Sequence, residues 1–400
     1  MSFILNKKEI AIIGSGPAAL IAASKLAPFH NVTIYEKKSS IGNKFLVAGK
    51  GGFNLTNSLE GIELASKYSP REFMKDAILS FDSIALRKWL ANLGIPTFVG
   101  TSGRVFPEKG IKPTEVLNKI KKNLLEKNVL INCNSQFVGF NNFNGIEIDF
   151  KGEIKSVFSD IYIFSLGGAS WSITGSDGKW TEYFEKIGVK TLPFESSNCG
   201  ININWNEKIE LHFGKPLKNI AVSVSGKSLK GEAVITNYGL EGNVVYPLIP
   251  KIREQLKADK SVEIFIDFKP NNSKEGLIKK LNLHKSTSNY GEILNLNRVQ
   301  MAFIKSFLTK EEYLSPKLFV GKLKNLCVKV NSIRNIEESI STVGGIDTEE
   351  LNSDFSLKIY PNIYTIGEMV NWDAPTGGFL LQGSFSMGNY AGKSILNILG

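Results

Sequence analysis

A chain of 400 residues exceeds the roughly 250–300 residues at which one hydrophobic core stops growing, so two or three domains are expected. Hydrophobic residues at 42% and charged residues at 22% exclude a disordered chain, and no stretch reaches the roughly 18 uninterrupted apolar residues that a membrane-spanning helix needs. The formal charge of +10, from 48 Lys and Arg against 38 Asp and Glu, leaves two readings open: lysines that solvate the surface of a Lys-, Asn- and Ile-rich protein, or an anionic macromolecular partner.

In chain order, Glu9–Ile13 is a nearly all-apolar run of the kind found in a parallel strand covered on both faces, and it enters Gly14-Ser15-Gly16-Pro17-Ala18-Ala19 and an Ala/Leu/Ile-rich helix. Gly14, Ser15, Gly16 and Pro17 interrupt the apolar stretch 10–23, and Glu9 offsets the basic pair before it, which argues against a signal peptide. Residues 32–35 read as the next strand. Helical periodicity spans 76–93 and 113–127, the second with Lys119, Lys121, Lys122 and Lys127 on an expected wet face, and no Arg-rich or aromatic-interleaved run stands out. Residues 161–164 and 363–366 are buried-strand candidates, and 382–399 close the chain as a helix.

Between these, the texture changes to short alternating runs such as Ile220-Ala221-Val222-Ser223-Val224 and Val262-Glu263-Ile264-Phe265-Ile266-Asp267, typical of an antiparallel sheet. The expected organisation is a nucleotide-binding domain formed by 1–190 and 336–400, interrupted by an inserted β domain over 191–335 that contains a polar helical subdomain over about 273–326. Cys133, Cys199 and Cys327 are odd in number and outside metal-ligand spacing. That pattern points to a reducing, cytoplasmic setting without disulfides or metal.

The first element carries a dinucleotide fingerprint. Gly14 allows the tight turn after the strand, Gly16 lets backbone approach a diphosphate, and Ala19 is small enough for helix-on-strand packing. Pro17 and Ala18 open the helix, whose N-terminal N–H groups and dipole favour anions. Glu36, at the tip of the second strand, is placed to accept hydrogen bonds from a ribose, and its charge disfavours a 2′-phosphate. The dinucleotide is therefore FAD or NAD. Two further features point to FAD: the segment Ile41-Gly42-Asn43-Lys44 through Gly49-Lys50-Gly51-Gly52-Phe53-Asn54-Leu55-Thr56-Asn57, and the distant Gly367-Glu368. In a flavoprotein the loop after the ribose acid wraps the middle of the cofactor, and a late strand end returns to the ribityl chain and ring.

These segments, with Gly103-Arg104-Val105-Phe106-Pro107, Leu166-Gly167-Gly168-Ala169-Ser170-Trp171, Gly239-Leu240-Glu241-Gly242, Gly344-Gly345-Ile346 and Asp373-Ala374-Pro375-Thr376-Gly377-Gly378-Phe379, resemble the BaiN/YhiN-like flavoproteins, FAD-dependent oxidoreductases also called aminoacetone oxidase-like. The resemblance covers most of the chain. It implies an α/β fold: a Rossmann-type FAD/NAD(P)-binding domain interrupted by an antiparallel, barrel-like β domain with a small helical subdomain. It further implies that Lys37, Gly42 and Lys44 lie along the cofactor, that Gly51, Gly52, Asn54 and Thr56 approach the flavin, and that Val138 meets the adenine through its backbone. By the same resemblance Gly167 and Gly168 let the chain pass close by, and Gly367, Glu368, Asp373, Gly377 and Gly378 line the ring. Many relatives have Arg-Cys where this chain has Gly52-Phe53, so thiol chemistry is absent there and the substrate need not be shared.

Several motifs keep a second reading. Gly344-Gly345 and Gly377-Gly378 also suit turns that need positive φ, and Arg104 suits either a surface ion pair or an active-site anion contact. His30, His212 and His284 sit in no base or nucleophile arrangement, and Trp171 and Trp372 suit core or pocket walls. No catalytic residue is assigned. The leading functional expectation is an FAD-dependent oxidoreductase that takes hydride from NADH or NADPH, docked transiently because no second complete fingerprint is present, and delivers it from flavin N5 to an activated double bond of a small molecule. Backbone N–H groups near Gly378 are expected to favour negative charge near N1. Two alternatives stand beside it. One is reduction of uracil to dihydrouridine in ribosomal RNA, as the resemblance implies for some YhiN-like relatives. The other is a redox-sensing or non-catalytic flavoprotein.

Overall fold

The computed structural model of the chain describes residues 7–47, 52–142, 144–283 and 289–400. Its contacts separate two compact units, Met1–Glu195 with Ser341–Gly400, and Ser196–Ile340.

The first unit is built on a parallel sheet of β1 (Glu9–Ile13), β2 (Asn31–Glu36), β3 (Leu130–Cys133), β4 (Ile161–Phe164) and β5 (Ile363–Thr365), in the order β5-β4-β1-β2-β3. Ile12 pairs with Ile34 on one side and Ile163 on the other, and each is fully buried. Burial on both faces is why β1 and β4 read as unbroken apolar runs rather than alternating ones. Helix α1 (Pro17–Leu26) follows β1 with Pro17 in its first turn, where a missing N–H costs nothing. The C-terminal helix α2 (Phe379–Leu399) packs across α1. A Cβ at Gly388 would lie 2.1 Å from the Ala18 carbonyl oxygen, so glycine sets how closely the two helices approach.

The helix expected over 76–93 is two helices, Arg71–Ser80 and Ser83–Asn92. Asp82 ends the continuity: its side chain accepts from Ala85 N–H at 3.0 Å as an N-cap, which outcompetes the apolar period that runs through it. Helix α2 starts at Phe379, ahead of the expected 382. Two three-stranded antiparallel sheets also belong to the unit. One joins Thr56–Asn57, Arg104–Pro107 and Thr97–Val99, and the other joins Ser135–Phe140, Ile146–Phe150 and Glu153–Val157. In the second, Phe137 pairs with Ile148 and Gly139 with Glu147, so Val138 is the extra residue of a β-bulge.

The second unit holds a seven-stranded sheet in which Pro216–Val224 pairs antiparallel with Lys227–Ile235 and with Val262–Asp267, and the latter pairs with Leu326–Val330. Helices Lys274–Asn282, Arg298–Ser306 and Pro316–Lys324 bury Leu281, Phe303, Ile304, Phe319 and Leu323 in a core separate from that of the first unit. The fold is thus mixed α/β, with a Rossmann-type domain and antiparallel sheets. Among the described residues no helix is long and apolar enough to cross a membrane, and no group of His, Cys, Asp and Glu could hold a metal ion.

Candidate functional site

The predicted site residues of the first unit gather beyond the carboxyl ends of the parallel strands: Gly14 and Gly16 after β1, Glu36 at the end of β2, Gly167 and Gly168 after β4, and Gly367 and Glu368 after β5. In open α/β sheets this is the edge at which ligands bind.

The two glycines of the first turn do different work. Gly14 has φ +97°, and a Cβ there would lie 2.3 Å from the Ser165 carbonyl oxygen, so it lets β1 and β4 exit side by side. A Cβ at Gly16 would meet nothing nearer than 3.9 Å, so the surface in front of α1 is open. No side chain caps α1, and no acid lies in its first turn. Its unpaired N–H groups therefore face that opening with the positive end of the helix dipole behind them. An uncapped helix start with room in front fits a diphosphate.

Glu36 is 9% exposed. It accepts hydrogen bonds from the Ser15 hydroxyl and, at 2.8 Å, from the Lys38 N–H, and the Gly42 N–H donates in turn to Ser15 Oγ at 3.1 Å. Burial pushes its carboxyl above the usual range, against those hydrogen bonds and the nearby Lys37 and Lys38 charges. An incoming pair of ribose hydroxyls is the kind of donor that offsets such burial. Val138, freed from the ladder by its bulge, lies in the strand Ser135–Phe140 next to β2.

Lys37 and Lys44 are committed to acids. Lys37 pairs with Asp177 at 3.0 Å. Lys44 Nζ lies 2.6 Å from Glu368 Oε2, and it also donates to Ser170 Oγ at 2.9 Å and Ser176 Oγ at 3.2 Å. Glu368 Oε1 accepts from the Thr342 N–H at 3.1 Å. Gly167 and Gly168 border this cluster. A Cβ at Gly168 would lie 2.1 Å from Thr342 Oγ1, and one at Gly167 would lie 2.9 Å from Ser176 Oγ, so their close approaches are to side chains of the protein itself. The indoles of Trp180 and Trp372 hold the Gly167 and Gly367 carbonyls at 3.0 and 2.8 Å. Trp171 adopts φ +60°, a left-handed conformation rare for a bulky residue, beside Ser170.

A second group joins the segment after residue 51 to the start of α2. Gly51 itself lies outside the described residues. Asn54, with its carboxamide turned to satisfy both ends, accepts from Gly378 N–H at 2.6 Å and donates to the Gly52 carbonyl at 2.9 Å. Thr56 Oγ1 donates to Gln382 Oε1 at 2.5 Å, and the Gln382 amide donates to the Phe81 carbonyl at 2.8 Å and to Ser386 Oγ at 3.0 Å. Asp373 is tied through both backbone groups to Ser69. Gly378 has φ +97°, and a Cβ there would lie 2.2 Å from the Thr56 carbonyl oxygen. The Gly378 N–H is thus taken by Asn54. The amides left without intrahelical acceptors are those of Phe379, Leu380 and Leu381.

Arg104 stands opposite Asn57 in the neighbouring strand, and its Nε lies 3.7 Å from where a Cβ of Gly377 would be. Among the described residues it makes no ion pair or hydrogen bond, so the surface ion pair is not formed. His284 also lies outside the described residues. His30 is buried beside Lys8 and Asp160, and burial lowers its pKa. Sequence reasoning missed Gln382, Ser176 and Thr342, and it named Ser170 only within a motif, with no role. A lone carboxamide directly after Phe379-Leu380-Leu381 was the available signal for Gln382, whereas the hydroxyls had none.

Comparison with known proteins agrees with this geometry. The model of the HI0933-like protein Rossmann domain matches residues 8–394. A 3-dehydro-bile acid delta(4,6)-reductase of Clostridium scindens is 22% identical, with 96% of this chain and 98% of the relative covered. A ribosomal RNA dihydrouridine synthase of Haemophilus influenzae is also 22% identical, with 94% and 96% covered. Among solved structures, the 3-ketosteroid delta1-dehydrogenase of Sterolibacterium denitrificans shares the fold at a TM-score of 0.54 and 12% identity, over 98% of this chain and all of that one. With a family model spanning nearly its whole length and a helix start, ribose acid and returning strand end that fit the cofactor, the chain belongs to the HI0933-like Rossmann-domain family and is an FAD-dependent oxidoreductase.

Proposed function

We propose that the protein is a reductase that draws on NADH or NADPH and saturates an activated C=C or C=N bond of a small molecule. When bound, FAD would supply the redox chemistry, hydride transfer from a nicotinamide donor to the polarised double bond. The chain's own residues bind and orient. The N–H groups at the start of α1 would receive the diphosphate, Glu36 the adenosine ribose, and the Val138 backbone the adenine. Gly42, Lys44 and Glu368 would border the middle of the cofactor, and Gly52, Asn54 and the 373–378 turn would surround the ring, with Thr56, fully buried against Gln382 and Gly378, supporting that wall from behind. The first-turn amides of α2 at Phe379–Leu381, rather than Gly378, favour negative charge at the pyrimidine edge.

The observation that supports this reading is the tie between Asn54, Gly378, Thr56 and Gln382, which joins two segments more than 300 residues apart into one hydrogen-bonded group. The delta(4,6)-reductase relative supports a double bond as the target. Anaerobic stopped-flow mixing of the flavin-loaded protein with NADH and NADPH is expected to bleach the flavin with at least one of them, and a conjugated enone is expected to restore the colour. Failure of both nucleotides to bleach it removes the reading.

A second reading, reduction of uracil in ribosomal RNA, is favoured by one observation. Residues 196–340 carry 22 Lys and Arg against 14 Asp and Glu, so +8 of the total +10 lies there. The dihydrouridine synthase relative points the same way. Comparing dihydrouridine in ribosomal RNA from wild-type and deletion strains decides between the two.

A further inference from the structure

The second unit holds a cleft of about 490 Å³ walled by Lys218, Asn219, Lys269, Asn271, Asn272 and Asn295, with no Asp or Glu among its lining residues. The nearest acid of the adjoining strand, Asp267, is neutralised by Lys324 at 2.6 Å. Part of its wall is formed where the strand pairing is interrupted. Leu217 pairs with Ala233 and Ile220 with Gly231, so a bulge turns Lys218 and Asn219 out of the ladder, and both are exposed. Asn219 and Asn295 adopt φ +55° and +50°. Asparagine tolerates this left-handed conformation, which at Asn219 breaks the regular ladder, and both side chains reach the rim of the cleft.

Of the polar groups around this space, Asn297 and Gln300 are spent on a helix cap and on the Lys218 carbonyl at 3.1 Å, and others remain open. Among the described residues the side chains of Lys218, Asn219, Asn272 and Asn295 make no hydrogen bond or ion pair. Lys230 Nζ donates to Asn271 Oδ1 at 2.9 Å, which leaves the Asn271 amide protons unused, and Lys269 Nζ holds the Asn295 carbonyl at 2.8 Å. Burial and the neighbouring Lys280 press the Lys269 amine below its ordinary pKa, a penalty that an arriving anion relieves. Ammonium groups bind phosphate as point charges, and carboxamides pair with the mixed donor and acceptor edges of a base or with sugar hydroxyls. The volume lies within the roughly 300–1,000 Å³ of small-molecule sites.

We propose that this cleft binds a phosphate ester with a hydrogen-bonding body the size of a nucleoside monophosphate, free or as one unit of an RNA chain. The site uses none of the residues assigned to the flavin, and its RNA form rests on the second reading above, whereas its free-nucleotide form does not.

The test measures binding of uridine monophosphate, uridine and a short single-stranded RNA to the full-length, flavin-loaded protein and to its Lys218→Glu and Asn272→Asp variants. Both positions are exposed, so flavin absorbance and melting temperature are expected to stay as in the wild type. The phosphate-bearing probe is expected to bind the wild type and to lose about tenfold or more in affinity with either variant, with uridine bound far more weakly. Uridine monophosphate bound as tightly as RNA assigns a free nucleotide. Tighter, steeply salt-dependent RNA binding assigns the strand. Binding of neither phosphate-bearing probe up to the millimolar range, uridine bound as well as its phosphate, or variants that bind like the wild type would overturn the proposal.

Discussion

The two units handle charge differently. Residues 1–195 and 341–400 carry 26 Lys and Arg against 24 Asp and Glu, a surplus of two in the unit with the dinucleotide edge. The smaller unit, 196–340, holds the other eight. In the binding mode proposed above, a cofactor with two phosphates is met where net charge is nearly balanced, by uncapped N–H groups at the start of α1, while the local cations Lys37 and Lys44 are spent on Asp177 and Glu368. Flavin binding does not account for the basic character of the chain. What the surplus serves lies in the other unit.

Backbone geometry offers the sharpest way to break that contrast. Gly14→Ala puts a methyl group 2.3 Å from the Ser165 carbonyl oxygen at φ +97°, and strain plus overpacking are expected to cost about 3 kcal/mol or more. The purified variant is expected to melt several degrees lower and to be colourless. Gly226→Ala in the second unit, at φ +77° with nothing within 4 Å, is expected to cost only about 1 kcal/mol and to keep its flavin. Equal flavin loss in both variants breaks the assignment of the cofactor to the first unit.

Next in size is Lys44→Met. The Lys44–Glu368 pair is only 27% and 18% exposed, and removing one partner leaves the carboxylate with the Thr342 N–H alone. Breaking a buried pair costs about 3–5 kcal/mol, and a partly solvated one less, about 1–2 kcal/mol. A fall of a few degrees in melting temperature is expected, with full recovery in Lys44→Met/Glu368→Gln. No recovery in the double variant means that Lys44 acts on the cofactor rather than through Glu368.

Glu36→Gln separates stability from binding. Because the folded-state pKa of Glu36 is raised, its contribution to stability is fully present below the unfolded value, about 4.3, and is lost as pH rises through the folded value. The flavin-free variant is therefore expected to match or exceed the wild type in melting temperature at neutral pH and to lose that advantage near pH 4. Its affinity for FAD falls about 10- to 100-fold, as expected for lost charge-assisted hydrogen bonds. A melting difference independent of pH removes Glu36 as the titrating group.

The pieces legible in the sequence were those whose physics is local. β1, the glycine turn, α1 and Glu36 lie within 28 consecutive residues, where period, small residues and an acid at the strand tip each state their purpose. Gly367-Glu368 was legible as a strand end, but its partner Lys44 lies 324 positions away, and no spacing rule connects them. The bulge at Val138 leaves no mark in composition, and Asp82 within an apolar period hid a helix start. That Asn54 takes the Gly378 amide was hidden among the N–H groups expected near Gly378, because Asn54 belongs to a segment that only the folded chain brings near.

The smallest expected effect tests whether location, rather than charge alone, governs anion binding. Lys122 lies on the helix Pro113–Glu126, 79% exposed, with only a 3.8 Å contact to Glu126, so Lys122→Glu is expected to leave the melting temperature within about a degree of wild type. It makes the same charge change as Lys218→Glu, but in the unit whose charge is already balanced. If the surplus of 196–340 acts as a diffuse field, both reversals weaken binding of a short RNA alike, and by little at physiological salt, where exposed charges are screened beyond about 8 Å. If the Asn-lined cleft collects the anion, Lys122→Glu changes nothing measurable while Lys218→Glu does. The ratio of the two dissociation constants then reports how much of the basic character of this chain is a site and how much is surface.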